Sequence, residues 1–129
     1  MNFLTDTHAL LWHFTDSPKI SQRAKEIFYK CEQGGCIIFI PSIVIAECIS
    51  IFDKKKITFD FETFFKRIRK SENYAIISLD YKVLQTMINT TEVSELHDKI
   101  IVATAKLLEV PLITKDTILL NLKTLTTLW

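Results

Sequence analysis

The stretch Cys36-Ile37-Ile38-Phe39-Ile40-Pro41-Ser42-Ile43-Val44-Ile45-Ala46-Glu47 sets the architecture. Its first five residues form an uninterrupted, β-branched and aromatic run, the pattern of a strand covered on both faces. Pro41-Ser42 stops that strand and offers an N-cap, and the residues from Ile43 to Phe52 predict a helix that is apolar nearly all round. A doubly covered strand running into a buried helix is half of a βαβ unit, which needs parallel neighbours.

Those neighbours lie on either side. Upstream, Asn2-Phe3-Leu4-Thr5-Asp6 is a short apolar run ending in an acid, and Ala9-Leu10-Leu11-Trp12 has the spacing of a short buried helix. Ala24, Ile27, Phe28 and Cys31 place a second helix over roughly 20 to 33, which Gly34-Gly35 ends. Downstream, Phe61, Phe64, Phe65 and Ile68 form a helical stripe after Asp60. Tyr74 to Ser78 reads as a third strand, Lys82 to Ile88 as a helix and Thr90 to Ser94 as a polar loop. Asp98 opens a helix carrying Ile101, Val102, Ala105 and Leu108 on one face. Leu112-Ile113-Thr114 is a fourth strand, and Thr124 to Leu128 a fifth at an edge. The alternation predicts an α/β fold with a mainly parallel, roughly five-stranded sheet flanked by helices.

With 129 residues the chain has the length of a single domain, residues 1 to 129. Its 48% hydrophobic content excludes a disordered polyelectrolyte, and a net charge of +1 leaves polyanion binding to a local patch. Two glycines cannot build a Rossmann or P-loop phosphate cradle. Cys31, Cys36 and Cys48 form no C-x-x-C pair and read as reduced packing residues of a cytoplasmic protein. No apolar run approaches the ~18 residues of a membrane span.

In a parallel sheet, residues just after each strand converge at the carboxyl edge. Four acids occupy such places. Asp6 follows the first strand, Glu47 lies one turn into the next helix, Asp98 opens the helix before the fourth strand, and Asp116 stands two residues after that strand. Each could simply cap a helix. Glu47, however, sits among Ile43, Val44, Ala46, Cys48 and Ile51, where an unpaired carboxylate is costly. The nearby cations are Lys99 and Lys115, whose spacing does not guarantee an inward orientation. A bound cation is the economical partner, and all-oxygen donors select Mg²⁺ or Mn²⁺ over zinc. Such an ion suits phosphodiester hydrolysis. His8, His13 and His97 match no zinc spacing. The basic stretch 54 to 70, Lys54-Lys55-Lys56 through Lys70, is interleaved with phenylalanines and reads either as a phosphate track or as a solvated helix face.

Leu4-Thr5-Asp6-Thr7-His8-Ala9-Leu10-Leu11-Trp12, Ser42-Ile43-Val44-Ile45-Ala46-Glu47, Leu96-His97-Asp98-Lys99 and Pro111-Leu112-Ile113-Thr114-Lys115-Asp116 together resemble the PIN (PilT N-terminal) domain nucleases, and among them the VapC-like toxins of type II toxin–antitoxin pairs. The resemblance spans almost the full length. It implies a PIN-like three-layer fold and a Mg²⁺-dependent endoribonuclease leaving a 5′-phosphate. It puts Asp6, Glu47, Asp98 and Asp116 in the acidic site, with Asp6 and Asp98 as direct metal ligands. Thr114 takes a supporting hydroxyl position, and Glu95 stands where many relatives have an additional Asp. The implied partners are RNA, a small antitoxin and a second copy of the chain. The alternative is a catalytically silent PIN-like module that only binds RNA or protein. A dehalogenase-type phosphatase is disfavoured because His8 occupies its second-Asp position, and a phospho-receiver domain because Asp6 has no acidic neighbour.

Overall fold

The computed structural model describes residues 1–129. In chain order the elements are β1 (Phe3–Thr5), α1 (Thr7–Phe14), α2 (Gln22–Glu32), β2 (Ile38–Pro41), α3 (Ser42–Lys55), α4 (Phe61–Lys70), β3 (Tyr74–Ile77), α5 (Tyr81–Ile88), α6 (Leu96–Leu108), β4 (Leu112–Ile113), α7 (Thr117–Leu120) and β5 (Thr127–Leu128). The five strands form one sheet in the order β3-β2-β1-β4-β5, and every pairing is parallel. The expected α/β architecture is therefore present, with the sheet parallel throughout.

Burial explains the strand sequences. Leu4, Ile38, Ile40, Leu112 and Ile113 are fully inaccessible, so the three central strands need apolar side chains on both faces. These residues belong to a core of 24 buried side chains, onto which the helices pack from either side. Cys31, Cys36 and Cys48 are free thiols buried in this core, as their apolar settings predict. Phe52 and Phe59 stack at 4.7 Å between centroids, and Phe61 meets both rings edge-on.

Several boundaries differ from expectation. The second strand starts at Ile38 and includes Pro41, and Ser42 is the first residue of α3; Pro41 holds the cap position and no side chain caps this helix. Burial of the helix supplies what a cap hydrogen bond does not. α6 begins at Leu96, because Glu95 accepts the Asp98 N–H at 2.7 Å and so occupies the cap assigned to Asp98. The last strand is only Thr127–Leu128, and α7, whose four residues are too short for periodicity to reveal, precedes it.

The strand order fixes where a ligand can bind. From β1 the chain moves to β2 and β3 on one side, and β4 and β5 lie on the other. The crevice beyond the carboxyl ends of β1 and β4 is thus the topological switch point. Leu4 pairs with Leu112 and Thr5 with Ile113, which brings the residues following both strands to the same rim.

Candidate active site

Asp6 leaves β1 at that rim. Its N–H donates to the Ile113 carbonyl at 3.1 Å, extending the ladder, while its Oδ1 accepts the Ala9 N–H at 2.9 Å and caps α1. Asp116 leaves β4 in the same way and caps α7 by accepting from Ile118 and Leu119 at 2.8 and 3.1 Å. The buried Thr114 hydroxyl accepts the Asp116 N–H at 3.1 Å and lies close to the Asp6 carboxylate. Capping and site placement are therefore the same geometry.

Glu47 and Asp98 arrive from α3 and α6. A cleft of about 450 Å³ is lined by all four acids, together with Thr7, His8, Trp12, Ile101, Lys115 and Thr117. Asp6 is buried, Glu47 and Asp98 are partly buried, and Asp116 is exposed. Glu47 has protein partners: Thr7 donates its hydroxyl at 2.8 Å, and His97 Nδ1 lies 3.5 Å away. His97 also approaches Glu95 at 3.3 Å. Glu95 does not line the cleft; it caps α6 at its margin.

Of the remaining acids, Asp6 and Asp116 accept backbone N–H groups, but no charged side chain pairs with any of the three. None of the chain's ion pairs reaches Asp6, Asp98 or Asp116, and neither Lys99 nor Lys115 pairs with an acid. Burial raises the Asp6 carboxyl above its ordinary range, against the lowering effect of hydrogen bonds from Thr114 and Ala9. Asp98 is pushed up to about 6, first by burial and then by the charges of Asp116, Glu95, Glu47 and Asp6. The repulsion shows that the carboxylates share one field. As they stand, no three acidic, histidine or cysteine side chains converge closely enough to form a ready-made ion cage.

Two features escaped the sequence reading. The hydroxyl of Thr7 and the imidazole of His97 hold Glu47, and only the Asp6-Thr7 junction and the neighbouring His97-Asp98 order hinted at it. His13 belongs to a different network: stacked on Phe28 at 4.3 Å, it meets Glu32, which also accepts from Tyr74 at 2.8 Å and Arg67 at 3.1 Å. Within the basic stretch, Arg67 is committed to Glu32 and to the face of Phe14, and Phe59, Phe61, Phe64 and Phe65 pack in or against the core. Those rings are unavailable to nucleobases.

The comparisons with known proteins agree with the geometry. Several solved structures share the fold. A VapBC2 structure from Rickettsia felis, bound to a DNA fragment from the promoter, aligns over 100% of this chain and 99% of its own with a TM-score of 0.73 at 16% identity. A toxin–antitoxin complex from Klebsiella pneumoniae aligns over 98% and 95%, with a TM-score of 0.66 at 19% identity. FitAcB from Neisseria gonorrhoeae aligns over 98% and 96%, with a TM-score of 0.65 at 17% identity. No curated protein matches the sequence. The family model described as PIN domain matches residues 3–125, which contain all four acids and every strand but the last. A parallel sheet that collects acids at its switch point, together with that match over nearly the whole chain, places the protein in the PIN domain family.

Proposed function

We propose that residues 1 to 129 form a single PIN domain acting as a Mg²⁺-dependent endoribonuclease, the toxin of a toxin–antitoxin pair. The observation that carries this reading is the cleft itself: Asp6, Asp98 and Asp116 share one field, and no lysine or arginine, Lys115 of the lining included, forms an ion pair with any of them. Carboxylates gathered at a ligand-binding rim without a paired cation repel one another until a cation arrives. Their oxygen donors fit Mg²⁺, or Mn²⁺, and Asp6 and Asp98 with Asp116 and Glu47 would hold it. Bound there, such an ion supplies neutralisation of a phosphodiester and activation of water for its hydrolysis.

The chain's own residues provide the frame. The Ala9 N–H fixes the Asp6 carboxylate, and the α7 N–H groups fix Asp116, so neither must be ordered when substrate enters. Thr7 and His97 orient Glu47 toward the same cleft. The solved structures with this fold include a toxin–antitoxin complex, which supports a small antitoxin as partner, and a second copy of the chain belongs to the same proposal. No helix is long and apolar enough to cross a membrane, in keeping with action in the cytoplasm on RNA.

The test is incubation of a mixed RNA pool with and without Mg²⁺, mapping the ends. Mg²⁺-dependent cuts leaving 5′-phosphates are expected, and Asp6→Asn or Asp98→Asn should abolish them with the circular dichroism spectrum unchanged. Full cleavage by both variants would overturn the site assignment. Because no three donors are drawn together, a second reading stands beside it: a catalytically silent module that binds RNA or protein. RNA retention without cleavage at any Mg²⁺ concentration would select that reading.

A further inference from the structure

Trp12 stands between two clefts. Its ring lines the acidic cleft beside His8 and Lys115, and it also lines a second cleft of about 400 Å³ that contains Lys25 and Tyr29. Nothing in the chemistry of the acids requires an indole at this place. Lys115 Nζ lies over the Trp12 ring, 5.3 Å from its centroid, and Lys25 Nζ lies over the Tyr29 ring at 5.8 Å. Neither lysine is paired with a carboxylate. Tyr29 is 48% exposed, and Trp129 meets Trp12 edge-on at 5.7 Å, bracing the indole from one side.

An aromatic ring in contact with an ammonium group that can swing off it to a phosphate, repeated in adjoining clefts, is a combination that suits single-stranded nucleic acid. Bases stack on the rings, and the ammonium groups follow the phosphates. A duplex cannot use it, because its bases are already stacked on one another. The acidic cleft alone would repel a polyanion, so affinity must come from outside the acids.

Resting on the ribonuclease reading above, we propose that Trp12 and Tyr29, each with its lysine, form a track for single-stranded RNA leading away from the acidic cleft. Trp12 receives the base next to the cleaved phosphate, and Tyr29 receives a base further along. Stacking tolerates every base, so the track selects unpaired RNA without selecting a sequence.

Trp12 and Trp129 are the only tryptophans, so Trp129→Phe leaves Trp12 as the sole indole reporter. The Asp98→Asn/Trp129→Phe chain, in EDTA, is titrated with oligoadenylate and with an abasic ribose-phosphate oligomer of equal length. Oligoadenylate should quench the indole emission and the abasic oligomer should not. Trp12→Ala and Tyr29→Ala should each weaken oligoadenylate binding by about five- to a hundredfold, and Trp12→Phe should retain most of the affinity. In the cleaving chain Tyr29→Ala should raise KM with kcat little changed. Equal quenching by both oligomers, or unchanged affinity in Tyr29→Ala, overturns the track. If Trp12→Ala fails to fold, the quenching and the exposed Tyr29 still decide. A wild-type chain that cuts RNA while the ring variants bind normally rejects the track alone, whereas a chain that neither binds nor cuts RNA rejects the ribonuclease reading as well.

Discussion

Asp98 concentrates the electrostatic cost of the cleft. Its carboxyl is pushed up to about 6 by burial and by the surrounding acids, so at neutral pH the ionised folded state carries repulsion that the unfolded chain escapes. Asp98→Asn should therefore raise the Tm of the metal-free protein. Mg²⁺ should raise the Tm of the wild-type chain, by an amount equivalent to about 2.7 kcal/mol at a hundredfold excess over Kd, and the variant should lose most of that gain. Thermal melts with and without Mg²⁺ check both; an equal Mg²⁺ response in the variant would remove Asp98 from the ligand set. At this scale the sequence was informative about which acids share the cleft, because strand ends in a parallel sheet are predictable places. It was less informative about Glu47, where the search for a partner pointed to an ion while Thr7 and His97 already stood beside it. Side-chain direction on a helix that is apolar nearly all round cannot be read from spacing.

Among the elements, caps separate the helices that need local help from those that do not. Ser21 caps α2 by accepting the Ala24 N–H at 3.1 Å, whereas Ser42, the cap expected from sequence, lies inside α3. Chemical denaturation should show Ser21→Ala losing about 1 kcal/mol and Ser42→Ala changing stability by less than about 0.5 kcal/mol. The network joining α1, α2, α4 and β3 gives a pH dependence. Burial lowers His13 below its usual 6.5 despite Glu32, which keeps the imidazole neutral. Burial alone would raise Glu32, but hydrogen bonds from His13 and Tyr74, with the charge of Arg67, bring it below its usual 4.5. Both folded values lie below the unfolded ones, so on acidification the unfolded chain binds more protons. The contribution of this network is full above 6.5 and should fall as pH drops through the two lowered values. Glu32→Gln should flatten the acid limb of Tm against pH; an unchanged limb would place the acid sensitivity elsewhere. None of this network was legible, since residues 13, 32, 67 and 74 come from separate elements with no shared period.

For the whole molecule, the strand pattern carried most of the fold. Apolar runs at residues 36 to 40 and 112 to 114 read as strands of a mainly parallel sheet, and their junctions located the cleft. Element ends were less legible, because strands of two to four residues give periodicity little to work with. Leu4 is fully buried at the middle of the sheet, so Leu4→Ala should cost about 2 to 5 kcal/mol and lower the single unfolding transition as a whole. That centre strand also precedes both of its sheet neighbours in the chain. β1 must wait between β2 and the still unmade β4, whose residues Leu112 and Ile113 complete its second edge. Pairings of such sequence separation form late and slowly. A growing chain thus carries Asp6 long before it can set it beside Asp116, and the acidic cleft is assembled only once β4 has been made and paired.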